Sequence, residues 1–184
     1  MKSWEGETED GTFAVEFQAS VLSALDRYCR AAGSSETGGI LIGRYSDDLS
    51  LAIVREATSP PADSRRGHSW FVRGVKGLRD LLGKRWRAKE RTFYIGEWHF
   101  HPVDHVAPSG DDFAQMLEIS HSRQYDCKEP LLLILGAAKC QGQRIFRAFV
   151  CPADGAPMEI LRAKNDESHE VKAASRDGAL PDAR

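Results

Sequence analysis

The chain has 184 residues, with 25 Lys and Arg against 27 Asp and Glu and a formal net charge of −2. That balance excludes a generally basic nucleic-acid coat and a polyanionic chain. Hydrophobic residues make up 41% and charged residues 28%, a globular composition with enough apolar material for one buried core.

Residues 1–11 read as a polar, acidic lead, 12–162 as one domain, and 163–184 as a polar tail expected to be mobile. The lead has no apolar stretch, so it does not read as a secretory signal. No run reaches the roughly 20 apolar residues of a membrane span, and no membrane partner is expected. Thr12 to Phe17 alternates Phe13, Val15 and Phe17 and predicts a strand. Val21, Leu22, Leu25, Tyr28, Cys29 and Ala32 then recur at helical spacing, with Ser20 as the expected N-cap and Gly33 as the stop. The apolar run Ile40 to Ile42 among Gly38, Gly39 and Gly43 predicts a buried strand, and Leu49 to Ala57 its partner.

Prolines and small polar residues make 59–69 a loop, followed by a short strand at Trp70 to Arg73. A second amphipathic helix is marked by Val75, Leu78, Leu81, Leu82 and Trp86. Thr92 to His101 predicts a strand, and 102–108 a loop bounded by two prolines. A third helix starts at Ser109, and Pro130 to Leu135 and Arg144 to Cys151 predict further strands, with an edge strand at Met158 to Leu161. Strands mixed with three helices imply an α/β or α+β layer of helices on a central sheet. Cys29, Cys127, Cys140 and Cys151 are widely spaced and form no C-x-x-C pair. They read as small buried hydrophobes of a reduced, cytoplasmic protein, with no nucleophile context.

The chemistry concentrates in WHFHPVDHVAPSGDD, residues 98–112. His99 and His101 stand at i and i+2, so on a strand both imidazoles share one face. Pro102 ends the strand, and Ser109 caps a helix whose first turn holds Asp112. Two His and one carboxylate with an open position form the donor set of a catalytic zinc site, with Asp111 the rival of Asp112. Such a site makes water a nucleophile near neutral pH and needs a base, for which Glu36 at the head of ETGGILIG is the candidate. Glu97 alternates onto the same face and is a candidate to orient one of the histidines from behind. The alternative readings are ordinary strand histidines, a dipole-favoured acid at Asp112 and a plain cap at Ser109. His68, His121 and His169 read as non-functional, and His105 as an exposed loop histidine.

From Arg65 to Arg91, ten Lys and Arg stand against Asp80 and Glu90, a net +8. Such a run is ordinarily a solvated helix face. Arg79, Lys84 and Arg85 are the candidates if it docks an acidic partner, and nucleic acid is the less favoured occupant.

The combination of ETGGILIG, HFHP, six residues and then S-x-x-D resembles the JAB/MPN metalloprotease domain, over about four-fifths of the chain. The resemblance implies a cytidine-deaminase-like fold, a mixed central sheet flanked by about three helices. It implies that His99, His101 and Asp112 ligate Zn2+, that Glu36 is the general base, and that Ser109 donates to the developing oxyanion. The implied reaction is hydrolysis of an amide, such as the isopeptide bond between a ubiquitin-like C-terminus and a lysine. Phe100 stands where the family frequently has Ser, and packing is expected of it. The insertions with which deubiquitinases grip ubiquitin look abbreviated, leaving 59–69 and 120–130. The wording GEWHFHP is most similar to bacterial stand-alone members found beside ubiquitin-like conjugation enzymes in antiphage operons, of the CBASS or the Bil type. The implied partners are a ubiquitin-like protein or nucleotidyltransferase C-terminal tail with its conjugates, and the activating or conjugating enzymes of such an operon. The alternatives are a peptidase of sulfur-carrier or short peptide substrates, and a non-catalytic scaffold.

Overall fold

The computed structural model describes residues 2–104, 106–138 and 144–163. The 164–184 stretch of the expected tail, Cys140 and His105 lie outside them. The elements in chain order begin with Trp4–Glu7 (β1), Ala14–Phe17 (β2), Ala19–Ala32 (α1), Thr37–Tyr45 (β3) and Leu51–Ala57 (β4). A small hairpin follows, Arg65–Arg66 (β5) and Phe71–Val72 (β6), then Leu78–Arg87 (α2). The chain continues through Phe93–Phe100 (β7), Gly110–His121 (α3), Leu131–Ala138 (β8), Arg144–Val150 (β9) and Met158–Arg162 (β10).

Eight strands form one sheet in the order β1-β10-β9-β8-β7-β3-β4-β2. It is mixed: β2 runs parallel to β4 and β7 parallel to β8, while the other pairs are antiparallel. The central strands β3, β7 and β8 are buried on both faces, which is why they read as apolar runs.

Each face of the sheet carries its own core. On one, Val21, Leu22, Leu25 and Cys29 of α1 pack against Leu41, Ile95, Trp98, Phe100 and Leu133. On the other, Met116 and Ile119 of α3 pack with Ile40, Ile42, Tyr94, Leu132 and Ile134, flanked by Leu78, Leu81 and Leu82 of α2. Helices thus cover both faces of a mixed sheet, as expected for the α/β class. Among the described residues, no helix is long and apolar enough to cross a membrane.

The structure corrects the expected lead. Trp4–Glu7, inside the polar, acidic lead, is a strand. Trp4 packs its indole against Phe17 and Phe146, with ring centroids 5.7 and 5.1 Å apart. One tryptophan among acids carries no readable periodicity, so this strand was invisible to pattern reading. It also pairs with both β2 and β10, so the strand at 158–162 is interior to the pairing and not an edge. Two boundaries shift as well. Helix α1 starts one residue before Ser20 and has Gln18 at its N-cap with no side-chain cap bond. Gly33 ends it with φ of 64°, as expected. Helix α2 starts at Leu78 after Gly77, whose φ of 81° breaks the continuity from Val75. Within the loop expected at 59–69, Arg65–Arg66 pairs with Phe71–Val72 to make the hairpin.

Candidate metal centre

Strand β7 delivers the histidines. Its pairing with β3 slips between Leu41 and Ile42, so that Ile95 has no partner and Gly96 faces Leu41. This bulge puts Tyr94 and Glu97, three apart, on one face, and the Tyr94 hydroxyl donates to Glu97 Oε1 at 3.3 Å. A Cβ at Gly96, where φ is +154°, would run into the Leu131 backbone. From there regular alternation resumes. Glu97 and His99 face α3, while Trp98 and Phe100 enter the opposite core. Phe100 is buried there as expected, with the Arg144 guanidinium 5.0 Å above its ring. His101 follows the strand, its N–H donating to Leu135 O at 2.9 Å.

Helix α3 delivers the carboxylate. Ser109 caps it: the Asp112 N–H donates to Ser109 Oγ at 3.1 Å, and the Ser109 N–H donates back to Asp112 Oδ2 at 2.7 Å. This is a capping box with Asp in place of Glu. The Ser109 hydroxyl spends its own proton on the same Oδ2, at 2.7 Å. Asp112 Oδ1 lies 2.5 Å from His99 Nδ1, and Oδ2 lies 3.8 Å from His101 Nε2. Asp112 is buried in the first turn, as the S-x-x-D spacing predicts; Asp111 beside it is exposed.

One ligand atom each of His99, His101 and Asp112 lies within 4.8 Å of the others. Two imidazole nitrogens and one carboxylate oxygen, with no fourth protein donor in the cluster among the described residues, fit an open zinc site. The electrostatics suit a cation. Burial raises the cost of the Asp112 charge, but hydrogen bonds from His99 and Ser109 overcome it and bring its pKa down to about 2. Burial opposes charge on His99, yet Asp112 and Glu97 on either side hold that ring up at about 9. Burial holds His101 below its ordinary value.

Glu36 stands one residue before β3, whose Gly38 lies opposite His99. Partial burial first, and then the Asp112 carboxylate, raise its pKa above the ordinary glutamate value. A carboxylate raised toward neutrality is a better proton acceptor. The hairpin, whose first strand falls in the expected loop and whose second falls in the expected short strand at Trp70 to Arg73, fixes this segment. Gly67 O accepts the Glu36 N–H at 2.9 Å, His68 Nδ1 bonds Ser34 O at 2.8 Å, and Phe71 packs edge-on against His99 with centroids 5.9 Å apart. His68 therefore has a structural part that its isolated position in the sequence did not suggest.

Three further expectations resolve. Glu97 is fully buried, and Arg73, Tyr94 and Gln115 all bond its carboxylate. On α2, Arg79 and Lys84 are exposed, but Arg85 is not free for a partner. Its Nε and Nη2 donate to the Glu56 carboxylate at 2.6 and 3.2 Å. Cys29, Cys127 and Cys151 are free and buried, and burial pushes their thiols up to about 12, 11 and 12. None is a thiolate near neutral pH, as a nucleophile would have to be.

Residues 18–151 match the family described as prokaryotic homologs of the JAB domain. The chain belongs to that family. Two curated relatives are named CD-NTase/cGAS isopeptidase. One, from Enterobacter hormaechei subsp. hoffmannii (strain UCI 50), is 44% identical over 83% of this chain and 83% of its own. The other, from Pseudomonas aeruginosa (strain BWHPSA011 / Pa011), is 32% identical over 74% of this chain and 84% of its own. Among solved structures, a Desulfitobacterium hafniense protein studied in solution aligns with a TM-score of 0.50 at 20% identity, over 79% of this chain and 87% of that one. That likeness supports the fold alone.

Proposed function

We propose that the protein is a zinc-dependent isopeptidase that cuts the amide joining a nucleotidyltransferase or ubiquitin-like C-terminus to a target lysine. The observation that carries this reading is the meeting of His99, His101 and Asp112 beside the raised carboxyl of Glu36. The two relatives named CD-NTase/cGAS isopeptidase support the substrate class. A non-catalytic scaffold would have no need of the complete donor set and its base.

His99, His101 and Asp112 would hold Zn2+. When bound, zinc supplies Lewis acidity toward the carbonyl and lowers the pKa of water into the neutral range. Glu36 takes one proton from the attacking water and returns it to the nitrogen of the leaving amine, so the amide and water become a carboxylic acid and an amine. Ser109 donates to the carbonyl oxygen as charge gathers there. For that, its hydroxyl turns from Asp112 to the substrate. Exposed Arg79 and Lys84 on α2 offer charge to an acidic partner surface.

The test is Glu36→Gln on a nucleotidyltransferase tail joined through its C-terminus to a lysine of a carrier protein. The variant is expected to keep one zinc per chain and to lose turnover by about 10²–10⁴-fold, the usual contribution of a general base. Undiminished turnover overturns the mechanism. Short peptides cleaved as fast as the folded conjugate would reassign the substrate to the small-peptide class.

A further inference from the structure

A buried polar cluster lies behind His99, on the side away from Asp112. Its centre is Glu97, a carboxylate with no exposure to solvent. A charge so placed is tolerated only with full partnering. Most of the partnering comes from Arg73, outside the H-x-H…S-x-x-D stretch. Its Nε donates to Oε1 and Oε2 at 3.0 Å each, and its Nη2 lies 2.8 Å from Oε1. Nη2 also donates to the Tyr125 hydroxyl at 2.8 Å, and Nη1 to Gly74 O at 3.0 Å. Gln115 of α3 donates to Oε2 at 3.0 Å.

The His99 ring is clamped between this cluster and Asp112. Nδ1 faces Asp112 at 2.5 Å. Nε2 is buried without a hydrogen-bond partner, and the nearest carboxylate oxygen, Glu97 Oε2, is 3.7 Å away. A neutral imidazole carries a proton on one nitrogen and a lone pair on the other. With a cation on the Nδ1 side, where Asp112 and His101 also lie, the carboxylate facing Nε2 would keep the ring's one proton there and leave the Nδ1 lone pair for the metal. Metal-ligating histidines ordinarily give their second N–H to such an oxygen, which fixes tautomer and ring angle.

We propose that Arg73 is a positioning residue for the ligand His99, acting through Glu97. The inference rests on the metal-centre reading. Arg73 follows β6, in the segment that also carries the hairpin. That segment is clasped before it enters α2: Gly74 N–H donates to Ser64 Oγ at 3.0 Å, and Val75 and Lys76 N–H donate to Asp63 at 3.1 and 3.0 Å. The clasp presents the guanidinium inward. The segment that packs Phe71 on the front of His99 therefore also sets the carboxylate behind it.

The test measures zinc affinity of metal-free protein by chelator competition, with the cobalt(II) absorption spectrum as a second readout of ligand geometry. Arg73→Met and Glu97→Gln are each expected to weaken zinc by about 10–100-fold, as loss of an outer partner of a metal ligand does. Because one acts through the other, the double variant is expected to be no weaker than Glu97→Gln alone. Wild-type affinity and cobalt spectrum in Arg73→Met, or losses that multiply in the double variant, overturn the proposal. If Arg73→Met does not fold, the double variant replaces it, since it leaves no lone buried charge. Wild-type affinity in that variant overturns the proposal equally. A wild-type chain that takes up no zinc removes the metal-centre reading and this inference with it. Zinc uptake by wild type with unchanged variants removes this inference alone.

Discussion

Gly38 lies opposite His99 in the β3–β7 pair, and the absence of its side chain is what lets the ring lie down. A Cβ there would sit 2.5 Å from Trp98 O, 2.7 Å from Phe71 Cε1 and 3.0 Å from His99 Cδ2. The first of these neighbours is backbone and cannot rotate away. Gly38→Ala is therefore expected to cost about 1–3 kcal/mol in urea unfolding, the range for overpacking a filled site. It should also weaken zinc binding, because the Phe71 and His99 rings are the groups free to shift. Unchanged values in both measurements would show that the β3–β7 pair opens more easily than its packing suggests. At this scale the juxtaposition of the candidate ligands was legible. The i, i+2 spacing of His99 and His101 and the cap spacing of Ser109 and Asp112 are local rules, and the structure obeys them. Glu97 was legible only by phase, since the bulge at Ile95 and Gly96 shifts everything before it. Arg73 carried no local signal at all: it was one basic residue among ten.

The hairpin β5–β6 and the turn into α2 form the element that joins site and surface. Its clasp is the Asp63 carboxylate, whose pKa is lowered first by the Lys76 N–H and then by the Val75 N–H. A carboxyl depressed in the folded state stabilises it above the ordinary aspartate value, and that contribution is lost as the pH falls through the folded one. Amide exchange at Val75 and Lys76, corrected for intrinsic rates, is thus expected to quicken as acid titrates Asp63. Asp63→Ala should show the same loosening already at neutral pH. Equal protection in variant and wild type would mean that the turn is held by its packing instead. Pattern reading found α2 but overstated its partner-facing charge. Arg85 is committed to Glu56 on β4, a contact between residues 29 apart in the chain. Helical periodicity cannot reveal which cation of a basic face finds an acid on another element.

Across the molecule, the sheet is held together through β1, which pairs with strands from both ends of the chain's order. Removing residues before Thr8 would uncover the β2 and β10 edges and strip Trp4 from Phe17 and Phe146. A lowered melting temperature is expected, with a site that still takes zinc, because β3, β7 and α3 are untouched. Loss of zinc binding with the fold intact would tie β1 to the site instead. Zinc is expected to raise the melting temperature of the whole chain, because an ion held only by the proposed folded centre stabilises by mass action. At 100 times its dissociation constant the gain is about 2.7 kcal/mol, and a chelator should remove it.

The donor set, the class of fold and the family resemblance followed from short-range regularities: alternation on β7, a cap three residues from its acid, apolar runs in the central strands. These rest on backbone geometry that repeats wherever such spacings occur. The partner of the buried Glu97, the strand at Trp4, the internal pairing of Arg85 and the hold of the hairpin on Glu36 came from folding alone. Each depends on which distant segment fills a given space and satisfies a buried polar group there. That choice is made by packing across elements, where spacing along the chain carries no information.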